Sequence, residues 1–120
     1  MTRNKVTIER YIEGFRKSDH PGILSCLTED VIWDIPGFFH AEGKEAFDKQ
    51  IENDAFEGHP TLTIHRMTEE NDVVVAEGEV RSTLKGGIPF HALFCDVFEM
   101  REGKIKKLVS YLTQLKEDAA

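Results

Sequence analysis

From Thr61 onward the sequence is a long polar–apolar alternation broken by three short turns, and that rhythm constrains the fold more than any other feature. Residues 61–68 alternate, Glu69-Glu70-Asn71-Asp72 turns the chain, and 73–84 alternates again. Lys85-Gly86-Gly87 makes the next turn, and the runs 90–101 and 104–115 are joined tightly at Glu102-Gly103. Long strands with such short links form an antiparallel meander, because parallel neighbours need a crossover of a dozen or more residues.

The first half keeps a different period. Val6, Ile8, Tyr11, Ile12 and Phe15 recur at helical spacing with charges between them, which gives one apolar stripe. Ser18 and Asp19 interrupt that helix. Asp19 is placed to cap a short second one, with Pro21 in its first turn and Ile23, Leu24 and Leu27 turned inward. Val31 to Ile35 reads as a strand stopped by Pro36-Gly37. A third helix is expected from Lys44 to Ala55, with Gly58 and Pro60 ending the helical region, and the polar tail Lys116 to Ala120 is expected to fray. The fold class is therefore α+β: three N-terminal helices packed on one face of a mostly antiparallel sheet, in a single domain spanning 1–120.

Composition sets the outer limits. Asp and Glu outnumber Lys and Arg by 22 to 15 for a net charge of −7, a balance that repels phosphate backbones and anionic lipid. No nucleic-acid or membrane partner is expected. Cys26 and Cys95 lie far apart in apolar surroundings and read as reduced thiols. The N-terminal residues show no apolar run of the signal-peptide kind, so a cytoplasmic location is expected. No phosphate-binding glycine loop or nucleophile elbow is present, and the five histidines show no metal-ligand spacing, so neither cofactor nor metal is expected.

Two aspartates stand out. Asp34 lies in the apolar strand Ile32-Trp33-Asp34-Ile35, directly before the Pro-Gly turn. Asp96 sits in the most hydrophobic strand and shares a face with Ala92, Phe94, Phe98 and Met100. A carboxylate on such a face must be paired, hydrated or held protonated. Each aspartate has a structural reading, a turn cap for Asp34 and an arginine partner or wet pocket mouth for Asp96, and each has a chemical one. Trp33 alternates away from the Asp34 face, toward the third helix or an interface. Phe38, Phe39 and His40 either cover a pocket mouth or anchor the third helix. Phe90 to Phe98 is apolar on both faces, so a homodimer through the sheet is expected.

Four segments carry a family resemblance: Glu9-Arg10-Tyr11-Ile12, Thr28 to Gly37, Phe94-Cys95-Asp96-Val97-Phe98 and Gly103-Lys104-Ile105. In order and spacing they resemble the ketosteroid isomerase and SnoaL-like superfamily along nearly the whole chain. The resemblance implies the nuclear transport factor two-like fold, a strongly curved sheet forming a cone around an internal pocket. It also implies roles for three residues: Asp34 as the proton-shuttling base, Tyr11 as an oxyanion donor, and Asp96 as a second donor kept protonated. Ile35 here separates Asp34 from Pro36, where the isomerases tend to place proline directly.

The resulting expectation is a pocket for a small apolar ligand, probing a carbonyl with Tyr11 and Asp96 while Asp34 moves the proton, in the manner of a cofactor-independent isomerase. Ile32, Phe94, Phe98, Leu108, Leu112 and Phe15 are expected to line it. A non-catalytic ligand-binding or dimerisation module on the same fold is the alternative. A further one is a polyketide cyclase-like or epoxide hydrolase-like enzyme, the latter needing an arginine between two acids, with Arg66, Arg81 and Arg101 as candidates.

Overall fold

The chain begins with α1, Arg3–Lys17, because Thr2 accepts a hydrogen bond from the Lys5 amide (3.1 Å) and satisfies one of the helix's open donors. The computed structural model describes residues 2–116, so the expected fraying of 117–120 lies outside the described residues. Ser18 ends α1 in the left-handed conformation, and Asp19 caps α2, His20–Leu24, through the Gly22 amide at 3.1 Å, with Pro21 in the first turn.

Strand β1 spans Leu27–Ile35, β2 Phe39–Glu42, and α3 Lys44–Ile51. The four long strands follow as β3 Phe56–Glu70, β4 Val73–Leu84, β5 Ile88–Arg101 and β6 Lys104–Gln114. They form one six-stranded sheet in the order β2-β1-β6-β5-β4-β3. All neighbours are antiparallel except β1 and β6, which run parallel because the helical segment returns the chain to the far side of the meander.

Three boundaries differ from the sequence reading. Leu27 does not belong to α2; it opens β1 and is fully buried. Helix α3 stops four residues short of Ala55, because Asn53 turns its side-chain oxygen onto the Ala55 amide at 2.8 Å and offers the backbone a turn in place of another helical bond. Gly58 and Pro60 sit within β3 rather than before it, at a register shift between Glu57 and Thr61 on the sheet edge, where a proline costs no ladder bond.

The helices lie over one face of the sheet and enclose a core of Ile8, Ile23, Leu27, Phe47, Phe98 and Leu108, all fully buried. Trp33 stacks on Phe47 of α3 with ring centroids 4.4 Å apart, so the expectation that it packs against the third helix holds. Among the described residues no helix is long and apolar enough to cross a membrane.

Candidate functional site

Between α1 and the concave face of the sheet lies a cavity of about 170 Å³. Helix α1 contributes Tyr11, Ile12 and Phe15, held together by the one-turn spacing that sets the Tyr11 and Phe15 rings 5.0 Å apart. Trp33 and Ile35 come from β1, Phe94 and Asp96 from β5, and Ser110 and Leu112 from β6. A larger opening of about 830 Å³ lies between α1 and β3, but it is a surface groove walled by Lys5, Glu9, Arg10, Glu13 and Arg66. Water reaches charges there freely, so the groove lacks the desolvation that makes a side chain reactive.

The polar end of the inner cavity is a short row of polar groups, Trp33, Ser110 and Asp96. The buried Trp33 indole nitrogen donates to Ser110 Oγ at 3.1 Å. Ser110 sits directly across from Asp96 in the β5–β6 ladder, where its hydroxyl favours the ionised carboxyl. Asp96 keeps some accessible surface because it lines the cavity, yet the surrounding walls are apolar. Burial pushes its carboxyl up to about 7 against the opposing pull of the Ser110 hydrogen bond. The Tyr11 hydroxyl is driven well above its ordinary value, first by burial and then by the negative charge of Asp96, so it stays a neutral donor.

Tyr11 and Asp96 therefore meet as the sequence suggested, and Asp34 does not join them. Period-two alternation sends Trp33 and Ile35 into the cavity, which puts Ile32 and Asp34 on the opposite face of β1. There Asp34 hydrogen-bonds His40, its cross-strand partner on β2. The strand-end position that does face the cavity, next to Pro36, holds Ile35. The histidine between Asp34 and Glu42 is held above its usual range by those two carboxylates, Asp34 first.

Of the expected lining residues, Phe15, Phe94 and Leu112 reach the cavity. Phe98 and Leu108 lie one layer deeper in the core, Phe98 against Tyr11 with ring centroids 5.4 Å apart, and Ile32 faces outward. Ser110 was missed, although it interrupts the alternation Leu108-Ser110-Leu112 as Asp96 interrupts its own strand. None of the three candidate arginines lines the cavity: Arg66 pairs with Glu77 at 2.5 Å, Arg101 with Asp30 at 2.5 Å, and Arg81 is exposed on β4. Among the described residues no cluster suited to a metal ion is found.

A family model described as a SnoaL-like domain matches residues 8–108, most of the chain, ending within β6 just before Ser110 and Leu112. The chain belongs to the SnoaL-like domain family. The solved structures agree on the fold of this SnoaL-like protein. An NTF2-like protein of unknown function from Burkholderia pseudomallei shares 20% identity with a TM-score of 0.86, covering 94% of this chain and 92% of that one. A LEH-like epoxide hydrolase from M. tuberculosis shares 18%, with a TM-score of 0.81 over 92% and 83%. TerC, co-crystallised with polyporic acid, shares 25%, with a TM-score of 0.82 over 91% and 90%. No curated protein matches the chain.

Proposed function

We propose that this SnoaL-like protein binds a small, mostly apolar molecule through one oxygen and exchanges a proton with it at Asp96. The observation that carries this reading is a single ionisable carboxyl, lifted to about 7, at the polar end of an otherwise apolar cavity and beside a neutral tyrosine. A group with that value is present in both forms at neutral pH, which is what a general acid or base requires. The co-crystallisation of the similar protein TerC with polyporic acid supports a small-molecule ligand for a chain of this fold.

The chemistry follows from the placement. Tyr11 donates a hydrogen bond to a ligand carbonyl, and as carbanion character develops on the neighbouring carbon the same bond strengthens on the forming enolate oxygen. Ionised Asp96 accepts the proton from that carbon, and returning it to another position completes an isomerisation. Ser110 and Trp33 are positioning residues that fix the carboxyl's orientation from behind. With Asp34 facing outward, the base role moves from Asp34 to Asp96.

The test uses cyclohexanone in deuterium oxide, with hydrogen–deuterium exchange beside the carbonyl followed by proton NMR. The protein should accelerate exchange over buffer, with a rate rising through about pH 7, and Asp96→Asn should lose at least about a hundredfold. Exchange no faster than buffer would leave the cavity as a binding site without proton transfer.

A further inference from the structure

A second compartment of about 320 Å³ adjoins the inner cavity, and the two share Trp33, Ile35 and Leu112 as common wall. Aromatic rings dominate the outer part. Phe56 and Phe90 meet edge to face with centroids 5.1 Å apart, Phe39 packs edge-on against Trp33 at 5.0 Å, and Phe38 stands 75% exposed beside them. This divides the expectation for the Phe38-Phe39-His40 segment: Phe39 is an anchor, Phe38 flanks the mouth, and His40 turns away to Asp34.

The rim is built from Gln50 of α3, Asn53 of the following turn and Gln114 at the end of β6. In a chain with 31% charged residues, none of the side chains lining this compartment carries a charge. Amides offer donors and acceptors without a desolvation cost as large as that of a charge, so they suit a neutral polar group and discriminate against an ionised one. An inner space of about 170 Å³ accommodates roughly one ring, since an apolar cavity of about 150 Å³ admits benzene. The outer compartment leaves room for more.

We propose that the two compartments are consecutive subsites for one elongated, uncharged ligand. It carries a hydroxyl or carbonyl at its inner end toward Tyr11 and Asp96, a second aromatic or flat apolar ring among Phe38, Phe56 and Phe90, and a neutral polar group at the amide rim. The inference rests on the proposed binding role of the inner cavity and extends it to substrate class.

Calorimetric titration of the full chain with four probes separates the two claims. The probes are phenol, para-phenylphenol, and para-phenylphenol bearing either a carboxamide or a carboxylate at the far para position. Para-phenylphenol should bind at least about tenfold more tightly than phenol because a second ring leaves water. The carboxamide should keep that gain and the carboxylate should lose at least about tenfold of it. Phe38→Ala, at an exposed position that the fold does not depend on, should reduce the gain from the second ring and leave phenol unchanged. Gln114→Lys, likewise exposed, should recover the carboxylate.

Phenol bound equally well as para-phenylphenol, with affinity lost in Asp96→Asn, would overturn the outer subsite and leave the inner one standing. No binding of any probe would overturn both. A carboxylate that binds as tightly as the carboxamide to the unaltered protein would overturn the neutral-ligand assignment.

Discussion

Ser110 gives Asp96 a donor, and the direction of its effect is fixed by which form of the acid it favours. The hydroxyl stabilises the carboxylate, so Ser110→Ala should move the Asp96 midpoint above about 7, readable by carboxyl-carbon NMR. A midpoint that falls would mean the serine favours the protonated acid. Asp34 makes the complementary case. Asp34→Asn should change proton exchange by less than about threefold, because its side chain serves His40 across β1 and β2 and not the cavity. The same substitution should return His40 toward the ordinary histidine range, which imidazole proton NMR would report. His40 has a raised value when folded, so its contribution to stability is present below the unfolded value and is lost as pH rises through the folded one. It is exposed, so the effect is small and salt-screened.

At the scale of elements, Gly78 shows how β3 and β4 come close. A methyl group there would run into the Thr63 carbonyl and the Phe94 ring, next to the register shift between Ile64 and Arg66. Gly78→Ala should cost about 1–3 kcal/mol in chemical denaturation, and a neutral result would show that the bulge relaxes. Phe98→Ala, by contrast, empties the core below Tyr11 and should cost about 3–5 kcal/mol. The meander was legible because tight turns and alternation are local signals. Asp96 was legible because a carboxyl interrupting Ala92-Phe94-Phe98 breaks the same pattern. The end of α3 was hidden by Asn53, whose turn competes with an otherwise helical sequence, and β2 is too short to alternate visibly. Alternation alone could also have turned Asp34 outward, since it sets Trp33 and Asp34 on opposite faces, but the resemblance to the isomerases favoured the aspartate nearest the Pro-Gly turn.

For the whole molecule, the buried acid couples the site to stability. Asp96 has a higher value folded, about 7, than the 3.8 of the free side chain, so the folded state holds the extra proton in that window and stability falls as pH rises through it. Asp96→Asn should therefore match the parent protein at acid pH and exceed it in alkaline solution, by at most on the order of 4 kcal/mol, reduced by the water the cavity admits. The outer face of the sheet leaves Leu93 43% and Tyr111 52% exposed, and a homodimer through it is expected. Sedimentation should give twice the 13.7 kDa of one chain, falling to a single mass in Leu93→Glu; a monomer from the start would contradict that expectation. One carboxyl decides the proposed chemistry, and a carboxyl-carbon NMR titration of Asp96 in the free protein reads it without any assumed ligand. A midpoint near 7 is what the apolar cavity around Tyr11, Trp33 and Ser110 predicts; a midpoint near the ordinary aspartate value of about 3.9 would contradict it.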